Sequence, residues 1–330
     1  MSPRAAAEAT ATARANIALA KYWGKSDVAL NLPAVPSLSL TLDGLVTETR
    51  VRFDATLDAD RVQLDGRAAS TREAARVVRL LDAVRAACAE PRRAEVLSAN
   101  RFPTAAGLAS SASGFAALAA ATVAAAGLDW GPHRVSALAR ASSASAARSV
   151  YGGFVELPAG SPGDAALAAV PLYGPDYWDV RLVVAVTATG PKAVGSTEGM
   201  ERSRRTSPYY QAWLDAAPRS FAAIKRALDG RDLDTLGRAM EHSTFAFHAC
   251  ALAADPAIAY FRPATLAALE TVRALRDAGV SAWATMDAGP HVKVLCAAGD
   301  AGRVQAALDA TAGVLDTLVA RPGAGVEVRR

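Results

Sequence analysis

The pattern of apolar and polar positions over residues 16–64 reads mainly as strands. Leu38, Leu40 and Leu42 are interleaved with Ser39, Thr41 and Asp43, and 46–53 is rich in β-branched residues, the pattern of strands. Asp65-Gly66 marks a turn. The period changes from Thr71 to Cys88, where Val77, Leu80, Leu81 and Val84 recur as one helical face behind Thr71 and Glu73. A short strand-like stretch, 94–97, leads into a Gly/Ser-rich segment and then an alanine run over 116–126 that favours helix. Strand character returns over 151–189 and ends in an apolar run at 180–187, which predicts a buried strand. After Gly190-Pro191 the pattern is mostly helical over 206–279, with Ser207-Pro208 at a helix start. Two strands around Asp287-Ala-Gly-Pro290, a helix over 301–312 and a short strand at 326–328 complete the chain. The prediction is a mixed α/β (α+β) protein of two lobes, residues 1–190 and 191–330, without an internal repeat.

The chain has 330 residues, enough for two lobes sharing a cleft, and 52% of them are hydrophobic against 21% charged, so disorder is excluded. Much of that hydrophobic fraction is alanine, which buries little area, so the core is smaller than the percentage suggests. A net charge of +4 is too small over this length to argue for nucleic acid. Cys88, Cys250 and Cys296 are odd in number and far apart, which predicts neither a disulfide framework nor a zinc site; a reducing cytoplasm is expected. The four histidines, His133, His242, His248 and His291, lack metal-ligand spacing, and no stretch reads as a signal peptide or membrane span.

The segment Phe102-Pro-Thr-Ala-Ala-Gly-Leu-Ala-Ser-Ser-Ala-Ser-Gly114 carries the most chemistry. Pro103, Ala105, Ala106, Gly107, Leu108 and Ala109 leave room for backbone NH groups to approach an anion. Ser110, Ser111 and Ser113 add hydroxyls, and the following helix presents its positive dipole end. Strand, glycine loop, helix is a phosphate-binding order, and the combination suits a triphosphate; the plainer reading is a Ser/Gly-rich loop capping an alanine helix. The segment is neither a Walker loop nor a GxGxxG turn. It resembles the phosphate loop of the GHMP small-molecule kinase superfamily and, within it, of the diphosphomevalonate decarboxylases. Asn16-Ile-Ala-Leu-Ala-Lys-Tyr-Trp-Gly-Lys25, Leu30-Asn-Leu-Pro33 and Ser37-Leu-Ser-Leu-Thr-Leu42 are similar to that family's N-terminal signature. Arg148-Ser-Val-Tyr-Gly-Gly-Phe-Val-Glu156 and Thr285-Met-Asp-Ala-Gly-Pro290 are similar to two further family segments. Weaker matches at 196–200, 206–208 and 247–249 keep the family's order, so the resemblance spans roughly residues 14–297.

The resemblance implies a GHMP kinase fold with the active site in the cleft between its lobes. The activity it implies is ATP-dependent decarboxylation of mevalonate 5-diphosphate to isopentenyl diphosphate, by phosphorylation of the 3-hydroxyl and loss of phosphate and CO2. A tertiary alcohol attacking a γ-phosphate needs a carboxylate to orient or deprotonate it, and Asp287 is the matching position. Lys21 corresponds to the lysine beside that acid. Arg148 matches the arginine that grips the substrate carboxylate, a task suited to a planar two-pronged donor. Tyr22, Lys25, Ser143, Ser145, Ser196 and Thr197 match positions on the 5-diphosphate. ATP and Mg2+ are the implied ligands, the metal held by loop serines and phosphate oxygens rather than an acidic cluster. A homodimer is expected by analogy. Departures gather around the substrate tail. Ser142 and Ala144 replace two family glycines, Ala251-Leu-Ala-Ala-Asp255 replaces an acidic residue and paired prolines, Glu198 adds an anion, and His291, followed by Lys293, closes the DAGP turn. Mevalonate 5-phosphate is therefore an alternative substrate. A mevalonate 3-kinase or a non-catalytic ligand sensor fits less well, because Asp287, Lys21 and Arg148 are retained.

Overall fold

A computed structural model of the chain describes residues 7–101, 110–190 and 192–330. The N-terminal part contains strands β1 (Ala7–Ala20), β2 (Lys25–Asp27), β3 (Leu32–Pro33), β4 (Ser37–Asp54), β5 (Arg61–Leu64) and β6 (Arg67–Ala68), then helix α1 (Thr71–Cys88) and β7 (Arg93–Asn100). Helices α2 (Ser110–Ala125) and α3 (Pro132–Ser142), a 3-10 segment (Ala144–Val150), and strands β8 (Phe154–Leu157), β9 (Val170–Tyr173) and β10 (Val180–Val186) follow. The C-terminal part holds α4 (Ser196–Thr206), α5 (Tyr210–Asp229), α6 (Leu233–Leu252) and α7 (Pro263–Asp277). It continues with β11 (Ala282–Thr285), β12 (Val292–Ala297), α8 (Ala301–Asp309), β13 (Asp316–Ala320) and β14 (Glu327–Arg329).

The main sheet runs β14-β1-β4-β7-β5-β6, with β8 on β4 and β9 on β8; a second sheet runs β11-β12-β10-β13. Strand β10 precedes residue 190 in sequence yet bonds to β12 and β13, and β14 returns from the C-terminus to pair with β1. Strands thus cross the expected boundary at residue 190 in both directions, β10 into the second sheet and β14 into the main one.

The β1 strand is longer than its apolar pattern announces, because its first half is built from alanines. Ala9, Ala11 and Ala13 are buried in alternation, and α2, apolar on all sides, lies on them with Phe115, Leu118 and Val123. Side chains this small let helix and sheet backbones approach closely, so dispersion contacts are kept with little area per residue. A second core joins Ile17, Leu19, Leu38 and Leu40 to Leu182, Val184 and Leu295 under Ile224, Leu228 and Met240 of α5 and α6. That shared core fixes the end of β1 against the second sheet. The far face of the second sheet packs under α7 and α8 through Val183, Val272, Val294 and Val304.

Local signals explain most boundaries. Helix α1 buries Val77, Leu80, Leu81 and Val84, and its N-cap is Ser70, one residue before the predicted start, in a reciprocal capping box with Glu73. Ser207-Pro208 stands between two helices. The one before it, α4, is not announced by the sequence pattern, because its 11 residues are mostly polar and bury only Gly199, Met200 and Ser203. Strand β13 is equally silent in the pattern: it lies at the edge of the second sheet, exposes Asp316 and Val319, and buries only Thr317 and Ala320.

Candidate active site

The end of β1 delivers Lys21 and the β11–β12 turn delivers Asp287 to one point. Lys21 Nζ donates to Asp287 Oδ1 at 2.8 Å and to the Ala18 carbonyl at 2.9 Å, while its backbone NH donates to Ser243 Oγ on α6. Thr285 Oγ1 reaches the same Ala18 carbonyl at 3.3 Å and meets Thr244 Oγ1 at 3.1 Å, tying β1, β11 and α6 together beneath the pair. The other carboxylate oxygen, Oδ2, accepts from Lys293 Nζ of β12 at 3.3 Å. Lys21 and Lys293 are 3% and 0% exposed, whereas Asp287 keeps 28% of its side chain open. Burial alone would raise the Asp287 pKa, but the two lysines outweigh it and hold the carboxyl far below the usual range. Burial pulls Lys21 down to about 8 against the opposing attraction of Asp287.

Arg148 is buried beside this pair, close enough for its charge to act on both Asp287 and Lys21. The 3-10 segment carries it, and β4 and β1 fix it: Nη1 donates to Ser37 Oγ at 2.7 Å, and Nε to Ser39 Oγ at 2.9 Å and Asn16 Oδ1 at 3.3 Å. Asn16 is oriented in turn by donating to the Ser145 carbonyl and to Ser149 Oγ. Neutral acceptors on one side leave the full positive charge available to a ligand. Burial pushes Arg148 down to about 10, which still leaves it cationic at neutral pH. The Tyr22 hydroxyl is buried without a hydrogen-bond partner among the described residues and lies in the field of Arg148; an unmatched buried hydroxyl of this kind is suited to a ligand oxygen.

The remaining expected tail residues fall in three local groups. Ser143 and Ser145 place their hydroxyls 3.1 Å apart just after α3. Half-buried Lys25 is lowered by burial and then by nearby Arg76, and Arg76 donates to the Ser142 carbonyl at 3.0 Å. At the start of α4, Ser196 Oγ accepts from Lys192 Nζ at 2.8 Å, Lys192 also reaches the Ala288 carbonyl at 3.1 Å, and Thr197 is exposed. Glu198 turns to Arg202 at 2.5 Å, so this anion carries its own cation. Ala144 sits in a small core with Ala147, Val155 and Leu157.

A cavity of about 240 Å³ opens beside the first turn of α2, lined by Thr47, Ser98, Asn100, Arg76, Ser111 and Phe115. Ser111 faces it. Ser113 is fully buried and bonds Thr47 Oγ1 at 2.6 Å, directed to the sheet. Pro103, Ala105, Ala106, Gly107, Leu108 and Ala109, and the side chain of Ser110, lie outside the described residues.

The two halves of the chain match two family models in order. Residues 13–168 match the diphosphomevalonate decarboxylase-like N-terminal domain, and 182–319 the mevalonate 5-diphosphate decarboxylase C-terminal domain. The chain belongs to the diphosphomevalonate decarboxylase family. Among relatives of that family, diphosphomevalonate decarboxylase of Ganoderma lucidum is 36% identical over 314 residues, covering 87% of this chain and 78% of that protein. The Homo sapiens enzyme is 33% identical over 309 residues, covering 87% and 76%. Mevalonate diphosphate decarboxylase from Staphylococcus aureus superposes with a TM-score of 0.93 at 36% identity, over 98% of each chain. A solved complex described as MDDEF with MVAPP, AMPPCP and magnesium superposes at 0.92 and 36% identity, over 99% of this chain and 100% of that one.

Several residues that shape this decarboxylase-family site carry no loud sequence signal. Ser37 and Ser39 look like the solvent-facing half of an alternating strand, yet both are fully buried under Arg148. Asn16 stands in the N-terminal signature without a role until its three side-chain bonds are seen. Lys192 follows a Gly-Pro pair, and Lys293 interrupts an apolar strand; an isolated lysine in a β run is the available clue. His291 is buried with Nδ1 accepting from the Thr187 NH at 3.1 Å, a core imidazole. His248 is packed among Phe247, Tyr260 and Phe261, and burial with the nearby Lys21 charge pushes it down to about 3, keeping it neutral.

Proposed function

We propose that this chain converts mevalonate 5-diphosphate and ATP to isopentenyl diphosphate, ADP, phosphate and CO2. The observation that carries the reading is a carboxylate, Asp287, held by two buried lysines yet partly open, with buried Arg148 within reach of its charge, in a chain whose halves both match decarboxylase models. The substrate carboxylate would pair with Arg148, and its diphosphate tail with Tyr22, Lys25, Ser143, Ser145, Ser196 and Thr197. The triphosphate would enter over Ser111 and the 103–110 segment, where the N-terminal end of α2 favours an anion. Mg2+ supplies charge neutralisation on the phosphate oxygens. Both oxygens of Asp287 are engaged by lysines, and serine hydroxyls at the start of α2, such as Ser111 on the cavity wall, fit an ion held mainly by phosphate oxygens.

The 3-hydroxyl oxygen forms a bond to the γ-phosphorus as the bond to the ADP oxygen breaks. A carboxylate held strongly ionised is a weak resting base but a firm hydrogen-bond acceptor. Asp287 therefore orients the hydroxyl and takes its proton only as the new O–P bond makes that oxygen acidic, as a loose phosphoryl transfer allows. The C3–O bond then breaks with its electron pair leaving on phosphate. The C1–C2 electrons become the new double bond between C2 and C3, and C1 departs as CO2. Arg148 contributes by fixing the carboxylate so that the C1–C2 bond is aligned for this step.

The deciding assay offers mevalonate 5-diphosphate and mevalonate 5-phosphate side by side with MgATP. Equal release of ADP, phosphate and CO2 from the diphosphate, at the higher kcat/KM, is expected. Preference for the monophosphate would reassign the substrate, and ADP without CO2 would make the chain a kinase. A cytoplasmic homodimer is the proposed setting, consistent with three unpaired cysteines; no described helix is long and apolar enough to cross a membrane.

A further inference from the structure

Strand β12 is buried along almost its whole length, and its residues sort by face. Val292, Val294 and Cys296 pack under α7 and α8, while Leu295 joins the core shared with β1, α5 and α6. Lys293 occupies the same face as Leu295, where the pattern asks for an aliphatic residue. Its cross-strand neighbours are Val184 of β10 and Thr285 of β11, and its side chain is 0% exposed. A cation in such a position costs several kcal/mol unless it is paired, and replacing a buried pair by apolar residues is often neutral or stabilising. Stability alone therefore gives little reason for a lysine here.

Its Nζ reaches Asp287 Oδ2 at 3.3 Å while Lys21 holds Oδ1 at 2.8 Å. The two lysines come from different sheets: Lys21 from the end of a main-sheet strand, Lys293 from the second sheet. Register explains the reach, since Lys293 pairs with Thr285, two residues before Asp287 across the same turn. We propose that Lys293 is a positioning residue for phosphoryl transfer, which anchors the Asp287 carboxylate from the second sheet and thereby lets the Lys21 ammonium turn from Asp287 toward the phosphoryl oxygens without releasing the acid. With Lys21 alone, any movement of that ammonium to the phosphate would leave Asp287 unrestrained. This inference rests on the reading of Asp287 given above.

The charged and titratable groups facing Asp287 are Lys21 from β1, Lys293 from β12, Arg148 from the 3-10 segment, Lys192 before α4 and neutral His248 from α6. The test compares Lys293→Met and Lys293→Arg in the full chain, with MgATP and mevalonate 5-diphosphate. For the Met variant kcat should fall by about 100-fold with both KM values within about threefold. The Arg variant, which keeps the charge but shifts it, should recover part of that loss and sit about tenfold below the parent in kcat. Met-variant kcat within about threefold of the parent, or a loss that appears in KM instead of kcat, would overturn the proposal. If the Met variant does not fold, the Arg variant decides: parental kcat overturns it, and a loss of about tenfold at unchanged KM supports it. Asp287→Asn is assayed alongside. Normal turnover there removes the reading of Asp287, whereas loss there with a parental Lys293→Met removes only the role of Lys293.

Discussion

Lys21 makes the alkaline side of the pH profile a direct report on the site. The residue is 3% exposed, and burial lowers its pKa from the usual 10.5 to about 8 even with Asp287 attached at 2.8 Å. Two outcomes follow, of opposite sign. Turnover needs the ammonium, so kcat/KM for mevalonate 5-diphosphate should be level near neutrality and fall above about pH 8. Phosphate groups titrate near pH 6, so the substrates do not create a limb in that region. Stability should move the other way. The unfolded chain binds the Lys21 proton more tightly than the folded chain does, so the contribution of Lys21 to stability rises as pH goes from about 8 to 10.5. The gap between those values corresponds to about 3 kcal/mol, without a discount for screening because the side chain is buried. The assay is initial-rate kcat/KM across the alkaline range for the parent and Lys21→Arg, paired with urea unfolding at the same pH values. The Arg variant, whose charge does not titrate there, should be slower but show no limb. A parental profile that stays level to the pKa of a free lysine, or a limb that persists in the Arg variant, would refute the assignment of that titration to Lys21.

Two further variants test the remaining partners. Asp287→Ala should abolish measurable turnover while circular dichroism and ATP-analogue binding are retained; near-parental CO2 release would sink the mechanistic role of the carboxylate. Arg148→Lys should lower kcat/KM by about 100-fold, because a lysine cannot both bond Ser37 and Ser39 and present a paired face to the substrate carboxylate. Unchanged kcat and KM would mean that Arg148 does not hold the substrate.

Legibility in the sequence tracks how strongly one physical effect dominates each segment. Helix α1 is readable because four large apolar side chains share one face and a capping box sits at its start. The two strands around Asp287 are readable because an apolar run breaks at an Asp-Ala-Gly-Pro turn. The first half of β1 is not, since its buried positions are alanines that look like helix former or linker. Helix α4 is not, since its polar surface hides the small buried stripe. At the site, Lys21, Asp287 and Arg148 are legible only through motif resemblance. Spacing cannot join them, because residues 21, 148 and 287 are far apart in sequence and only the tertiary fold brings their charges into range of one another.

The core shared by both sheets also explains why polar residues of the strands are buried. The Leu38, Leu40 and Leu42 alternation predicts that Ser37 and Ser39 face water, but β4 is covered on both faces from 37 to 42, and the serines accept from Arg148 instead. Lys293 does the same on β12. In each case a strand gives up one apolar contact and places a hydrogen-bonding group in a buried, sheet-supported position whose backbone cannot drift. Such a position suits a reaction whose chemistry lies mainly in the phosphoryl donor and leaving group, where the protein contributes chiefly orientation and fixed charge. Substitutions that keep volume but remove the polar atom, such as Ser39→Ala, should therefore leave the fold intact and act on kcat/KM through Arg148.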